Sequence, residues 1–242
     1  NFCEKIGVSK AYSVVDYGLL ESCVRDELNA NAPRAMAVLR PLKVVIDNYP
    51  EGQTETLDVE IHPDHPEMGT RKVTFGKTLY VEQEDFMVEP VKKYFRLFPG
   101  NEVRLKSAYF VKCVGYDTDE NGNVTCVHCT YDPESRGGNS PDGRKVKGTL
   151  HWVSEADSFK AEVRLYDRLF TVEDPASVSD EEFPSVINKD SLVVLKDCLI
   201  EETIKDAPAE SSFQFMREMV LLVDWINICG ERYVHYLENG LM

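Results

Sequence analysis

Apolar positions fall into two regimes along this chain. Up to about residue 31 they recur at helical spacing: Leu19, Leu20, Cys23, Val24 and Leu28 stand one, three or four apart and form one stripe. The pattern predicts helix across residues 1–31. Asp16 is a suitable N-cap, and Asn29-Ala30-Asn31-Ala32-Pro33 closes the run, because a residue before proline disfavours helical backbone. From Arg34 onward the period shortens to two. Strands are predicted at Ala37-Val38, Leu42–Ile46, Val59–Ile61, Val124–Tyr131, Leu150–Ser154, Ala161–Leu169, Val186-Ile187, Leu192–Leu195 and Phe213–Arg217. Val103–Val114 reads as one long alternating strand. Arg71–Phe75 and Thr78–Val81 read as a strand pair around Gly76-Lys77. Asp119-Glu120-Asn121-Gly122-Asn123 is the strongest hairpin signal, since Asn-Gly supports the positive φ that a tight turn needs.

Many short strands with frequent turns point to barrels or sandwiches rather than βαβ units. The acidic stretch at 174–184 reads as a solvated loop. No apolar run approaches the ~20 residues that span a bilayer, and Asn1-Phe2-Cys3-Glu4-Lys5 does not look like a signal peptide. Seven cysteines without framework spacing suit reduced thiols in a cytoplasmic protein.

The formal net charge of −15 argues against non-specific nucleic-acid binding over the whole surface. Local clusters survive that argument. Asp142–Val153 places three cations after an Asp-Gly turn and before an apolar run, which suggests a local anion site. Lys92, Lys93, Arg96, Arg104, Lys106 and Lys112 interleave with Tyr94, Phe95, Phe98, Tyr109 and Phe110, a mixture suited to phosphates and unpaired bases. An ordinary strand face with outward cations and buried rings would look the same. Cys126 and Cys129, with His62 and His65 as further partners, invite a metal reading. However, positions i and i+3 of a strand face opposite ways, and structural zinc needs two close ligand pairs. No metal is therefore expected. His151 reads as a packed strand histidine. No catalytic set stands out: nucleophile elbows, zinc-protease strings and phosphate-binding loops are all missing.

Several separated strings resemble one family in the same order. They are Cys23–Val38, Pro66–Arg71, Glu102–Leu105, Asp142–Val153, Arg164–Phe170, Ser185–Asn188 and Phe213–Glu218. Together they resemble the C-terminal half of the glutaminyl-tRNA synthetases. The resemblance implies a mainly β fold in which a small helical subdomain precedes two antiparallel β-barrels, the distal one inserted into the proximal one. The implied division is a helical subdomain at 1–33, the proximal barrel at 34–90 and 171–242, and the distal barrel at 91–170. It further implies a tRNA anticodon-binding piece of a longer, cytoplasmic and monomeric enzyme that joins glutamine to its tRNA with ATP and Mg²⁺. The nucleotide-binding strings of that family do not occur here. No catalytic residue, no cofactor of its own, no DNA partner and no membrane partner are therefore expected. The implied partner is glutamine tRNA.

Carried over by position, Arg34, Gln214 and Arg217 would meet the middle anticodon base, Arg96 the third and Arg104 the first. Lys10 would touch the tRNA lower on its inner face. Phe95 and Lys106 stand where the family often has Lys and Arg, and Met219–Met242 departs from the family pattern. Strand alternation would put Gln214 and Arg217 on opposite faces, so a bend or bulge near Phe215–Arg217 is predicted. Two alternatives remain: the same module of a glutamyl-tRNA synthetase, and a β-barrel scaffold that binds protein.

Overall fold

A computed structural model describes residues 2–10, 13–208, 211–215, 221–223 and 233–237. Two helices come first, α1 (Phe2–Ile6) and α2 (Tyr17–Asn31). The continuous helix expected over 1–31 is thus broken. Gly7, at φ 70°, ends α1 in the left-handed region, where its N–H reaches the Cys3 carbonyl. Asp16 is the N-cap of α2, and its carboxylate accepts from the Gly18 N–H at 2.6 Å.

Sixteen strands follow among the described residues. They are β1 (Arg34–Ala35), β2 (Ala37–Val38), β3 (Pro41–Ile46), β4 (Thr54–Glu60), β5 (Thr70–Gly76), β6 (Thr78–Glu82), β7 (Glu102–Leu105) and β8 (Phe110–Thr118). After these come β9 (Val124–Asp132), β10 (Thr149–Leu150), β11 (Val153–Ser154), β12 (Ser158–Tyr166), β13 (Leu192–Glu201), β14 (Ser211–Phe215), β15 (Leu221–Val223) and β16 (Tyr233–Leu237). The protein is mainly β with few helices, as its alternation implied. Among the described residues, no helix is long and apolar enough to cross a membrane.

The chain forms two compact units. One takes Asn1–Arg34, Glu162–Lys196 and Pro208–Met242; the other takes Ala35–Ala161 and Asp197–Ala207. In the first, β14, β15, β16 and β12 lie side by side, with β12 and β16 parallel. The end of α2 buries Leu28 and Ala32 against Val24.

The second unit is built on a seven-stranded sheet in the order β10-β7-β8-β9-β3-β6-β11, with β4 and β5 as a separate pair. β10 and β11 stand at the two edges of that sheet, yet they belong to one short segment, 149–154. Both edges are therefore carried by one stretch of chain. Trp152, fully buried between β10 and β11, anchors the segment: its indole N–H donates to the Lys106 carbonyl at 3.0 Å. Its ring meets Phe75 edge-on at 5.4 Å. Leu42, Val44, Ile46, Leu79, Val81, Val103, Leu105, Val111 and Val127 complete the core. Each buried residue of this size contributes roughly 1.5–3 kcal/mol relative to exposure.

Three strand expectations change. Val103–Val114 is two strands, β7 and β8, folded back antiparallel through a turn at Ser107, whose φ is 56°. Apolar residues at 103 and 105 before the turn and at 108 and 110 after it keep the look of one strand, so the turn is easily missed. Arg71–Phe75 and Thr78–Val81 do not pair: β5 lies on β4, whereas β6 lies between β3 and β11. Gly76 is the corner, and a Cβ there would already touch Thr54 at 3.4 Å. Leu150–Ser154 is interrupted at His151-Trp152 because its two ends pair with different strands.

Two buried carboxylates brace this unit. Glu201 takes Arg71 in a two-pronged pair, with Nε to Oε1 at 2.6 Å, and also accepts from the Met36 N–H at 3.0 Å. Removing one partner of such a pair typically costs about 3–5 kcal/mol. Glu82 accepts from the Leu39 and Arg40 N–H groups at 2.6 and 2.9 Å. His151 is buried, as expected, with Nε2 at 4.0 Å from Glu82.

Candidate nucleic-acid interface

The turn between β7 and β8 makes Arg104 the register partner of Phe110. Residues opposite each other on antiparallel strands share a face. The Arg104 guanidinium accordingly lies 5.3 Å from the Phe110 ring centroid. Its stem runs beneath Gly138, where any Cβ would stand only 2.9 Å from Arg104 Cδ, and the φ of 84° independently favours glycine. Arg104 Nε has no hydrogen-bond partner among the described residues. Nε itself is buried, and the packing fixes the plane of the guanidinium fork. Such a fork suits a base edge or a phosphate.

Arg144 reaches the same ring, 5.1 Å from its centroid, but its donors are occupied. Glu102 accepts at 2.9 and 3.0 Å, Asp132 at 2.5 Å, Asp142 at 2.7 Å and the Ser140 hydroxyl at 2.6 Å. These partners raise the Arg144 pKa, led by Glu102. The Arg144 N–H, Ser140 and the Arg144 side chain hold the Asp142 carboxyl down at about 2. The basic string 142–153 therefore does not offer Arg144 as a free anion grip. The sequence shows three cations within four residues; it does not show that Glu102 and Asp132 arrive from β7 and β9.

Loop 91–100 is fixed against the same unit. Lys93 holds φ at 71°, a left-handed conformation that costs a non-glycine residue on the order of 1 kcal/mol. Past it, Phe95 is 47% exposed, and the Lys147 ammonium lies 5.0 Å from its ring centroid. Arg96 is partly exposed. Its Nε is 3.5 Å from the buried Asp85 carboxylate, and it donates to the Glu84 carbonyl at 3.2 Å. Gly148 makes this packing possible: a Cβ there would come within 2.0 Å of the Phe95 carbonyl oxygen. The Gly148 carbonyl accepts from the Arg104 N–H at 2.8 Å, so loop 91–100, β7 and segment 142–150 are bound together.

In the other unit, Arg34 caps the C-terminal end of α2. It donates to the Leu28 and Ala32 carbonyls, each at 3.0 Å, and to the Asn29 carbonyl at 2.8 Å. The Gln214 N–H donates to the Pro33 carbonyl at 2.9 Å, and its side-chain amide donates to Asn29 Oδ1. Arg34 and Gln214 thus meet at Asn29, one through its backbone and the other through its side chain. Gln214 Oε1 is buried without a partner among the described residues. The sequence places Asn29 in the run that closes the helix but gives no sign that Arg34 and Gln214 both reach it. Arg217, and with it the predicted bend at 215–217, lies outside the described residues. Lys10 is exposed beyond α1.

Comparison with known proteins fits this geometry to a family. Residues 32–132 match one model, and residues 149–223 a second, of the same description: tRNA synthetases class I (E and Q), anti-codon binding domain. The chain belongs to that family. It is similar to the glutamine–tRNA ligase of Bradyrhizobium diazoefficiens, 54% identical over 90% of this chain and 38% of the relative's length. It is also similar to that of Clostridium kluyveri, 51% identical over 93% of this chain and 40% of the relative. The Vibrio vulnificus protein of the same name is 50% identical over 99% of this chain and 43% of the relative. The chain spans about two fifths of the length of these curated relatives. The first anticodon-binding model covers β1 through β9, including Arg34, Arg96 and Arg104; the second covers β10 through β15, including Gln214 and Arg217.

Proposed function

We propose that this chain holds glutamine tRNA by its anticodon, as the anticodon-reading part of a glutamine–tRNA ligase. One observation carries the reading. Two anticodon-binding models match in order, and relatives named for glutamine are 50–54% identical over nine-tenths or more of the chain. The whole enzyme would join glutamine to its tRNA with ATP and Mg²⁺ in the cytoplasm, as a monomer, with the ATP chemistry outside this chain.

Arg104 is the proposed reader of the first anticodon base; the guanidinium plane fixed over Phe110 supports the role. Arg96 is the proposed contact to the third base, steadied by Asp85. Arg34, Gln214 and Arg217 are proposed around the middle base. There Arg34 orders the end of α2, and Gln214 has a buried amide oxygen with no partner among the described residues. Lys10 is the proposed contact on the inner face of the tRNA. Two barrels with the helices as entry are proposed; drawn from the two compact units, the boundaries would fall at 34/35 and 161/162, which moves 35–90 from the proximal barrel to the distal one. The segment that carries both edges of one sheet supports closure of the second unit, and that unit's sequence lies largely inside the first's.

Competition binding between glutamine tRNA and glutamate tRNA tests the reading. Preference for glutamine tRNA is expected. Preference for glutamate tRNA would move the chain to the other branch of its family, and equal binding of any tRNA would overturn an anticodon-reading role.

A further inference from the structure

The outer face of the β8–β9 hairpin gathers metal-binding chemistry away from the residues discussed above. Asp117 and Cys126 are register partners across the hairpin, and His128 stands two residues beyond Cys126 on the same face of β9. A carboxylate oxygen, the thiol sulfur and an imidazole nitrogen of these three lie within 4.8 Å of one another. Among the described residues, this is the single set of three such groups that approach so closely.

The local backbone explains the convergence. A register shift after Cys113 marks an extra residue, Val114, in β8, a second after Asp117 marks one, Thr125, in β9, and Gly115 stands opposite His128. With no side chain there, the imidazole turns toward Asp117, and its Nε2 comes to 3.0 Å from Oδ2. On the other side, His128 Nδ1 lies 3.0 Å from Asp47 Oδ1. Asp47 is fixed by its own N–H, which donates to the Cys129 carbonyl at 2.8 Å. A histidine whose far nitrogen is held by a carboxylate is the usual arrangement around a bound metal.

We propose that Asp117, Cys126 and His128 form a zinc-binding site on the β8–β9 hairpin, with Asp47 orienting His128. Sulfur, nitrogen and oxygen donors together select zinc over calcium or magnesium. A tetrahedral zinc needs donor atoms roughly 3.3–3.8 Å apart, given its ordinary bond lengths. The three groups, within 4.8 Å of one another, would have to draw closer to reach that spacing. The fourth position falls to water. Binding releases the Cys126 thiol proton, and any extra imidazole proton, to solvent. Lys43, the neighbour of Cys126 on β3, points its charge toward Glu155 at 3.8 Å. The pairing weighed from sequence, Cys126 with Cys129, fails because Cys129 is buried while Cys126 is partly exposed. The ligands instead come from alternate positions on one strand and a facing position on its neighbour.

The test is titration of the chelator-treated chain with ZnCl₂ by calorimetry and with CoCl₂ by absorption. We expect one ion per chain and a thiolate-to-cobalt charge-transfer band. Cys126→Ser should abolish that band and weaken zinc binding at least 10-fold. His128→Gln should do the same to affinity, and Asp47→Asn should weaken it about 10–100-fold. Circular dichroism matching the unaltered chain would establish that each variant folds. No saturable binding, or binding that Cys126→Ser leaves unchanged, would overturn the site and leave His128 as an imidazole bridged by two carboxylates. Glutamine tRNA binding is independent of this outcome.

Discussion

Arg104 and Arg144 share one ring and have opposite fates. Arg144 is enclosed by three carboxylates, whereas the buried Nε of Arg104 has no hydrogen-bond partner among the described residues. Spacing alone cannot distinguish them, because the carboxylates come from distant strands. Replacing Arg104 with Ala should weaken tRNA binding by about 1–3 kcal/mol, the scale of a good bidentate base contact. The loss should shrink when the first anticodon base is already changed; equal losses on every tRNA would mean that Arg104 touches phosphate alone. Glu82 makes a prediction about acid stability. Burial opposes its charge, but His151 and the Arg40 and Leu39 N–H groups outweigh burial, so its pKa is lowered. A lowered folded pKa adds stability above the unfolded value near 4.3, and that stability is lost as pH falls through the folded value. In urea titrations, Glu82→Gln should cost about 1–3 kcal/mol at neutral pH. The gap from the unaltered chain should narrow below about pH 4; a constant gap would contradict the assignment.

Elements were legible wherever local chemistry decides them. Asp16 and the stripe through Leu28 specify α2, and Asn121-Gly122 specifies the β8–β9 hairpin, with Gly122 at φ 84°. Pairing partners were not legible, because alternation states which face is buried and not which strand lies alongside. That is why β7 and β8 merged into one strand and β5 was paired with β6. The close approach at Gly148 was also invisible, since its cause is the Phe95 backbone in another loop. Gly148→Ala should push loop 91–100 away from β7 and destabilise the protein by about 1–3 kcal/mol, as other overpacked sites do. Thermal unfolding measures the cost, and amide shifts at Phe95 and Arg96 would report the displacement. Unchanged stability with unchanged shifts would refute the packing argument.

For the molecule as a whole, a mainly β architecture was legible from period and turn spacing, while the family came from ordered strings such as Asp142–Val153. Convergence of Arg34 and Gln214 on Asn29 was half legible: position brought the two together, but only the folded chain shows α2's last turn between them. With a formal charge of −15, the chain cannot rely on general attraction to phosphate, so tRNA binding has to come from local contacts. The most direct test is filter binding of glutamine tRNA at fixed salt, with each anticodon base changed in turn. Anticodon reading predicts that every change weakens binding, by about 1–3 kcal/mol for a base held by a good bidentate contact. Equal affinity for the unaltered tRNA and all three variants would contradict it.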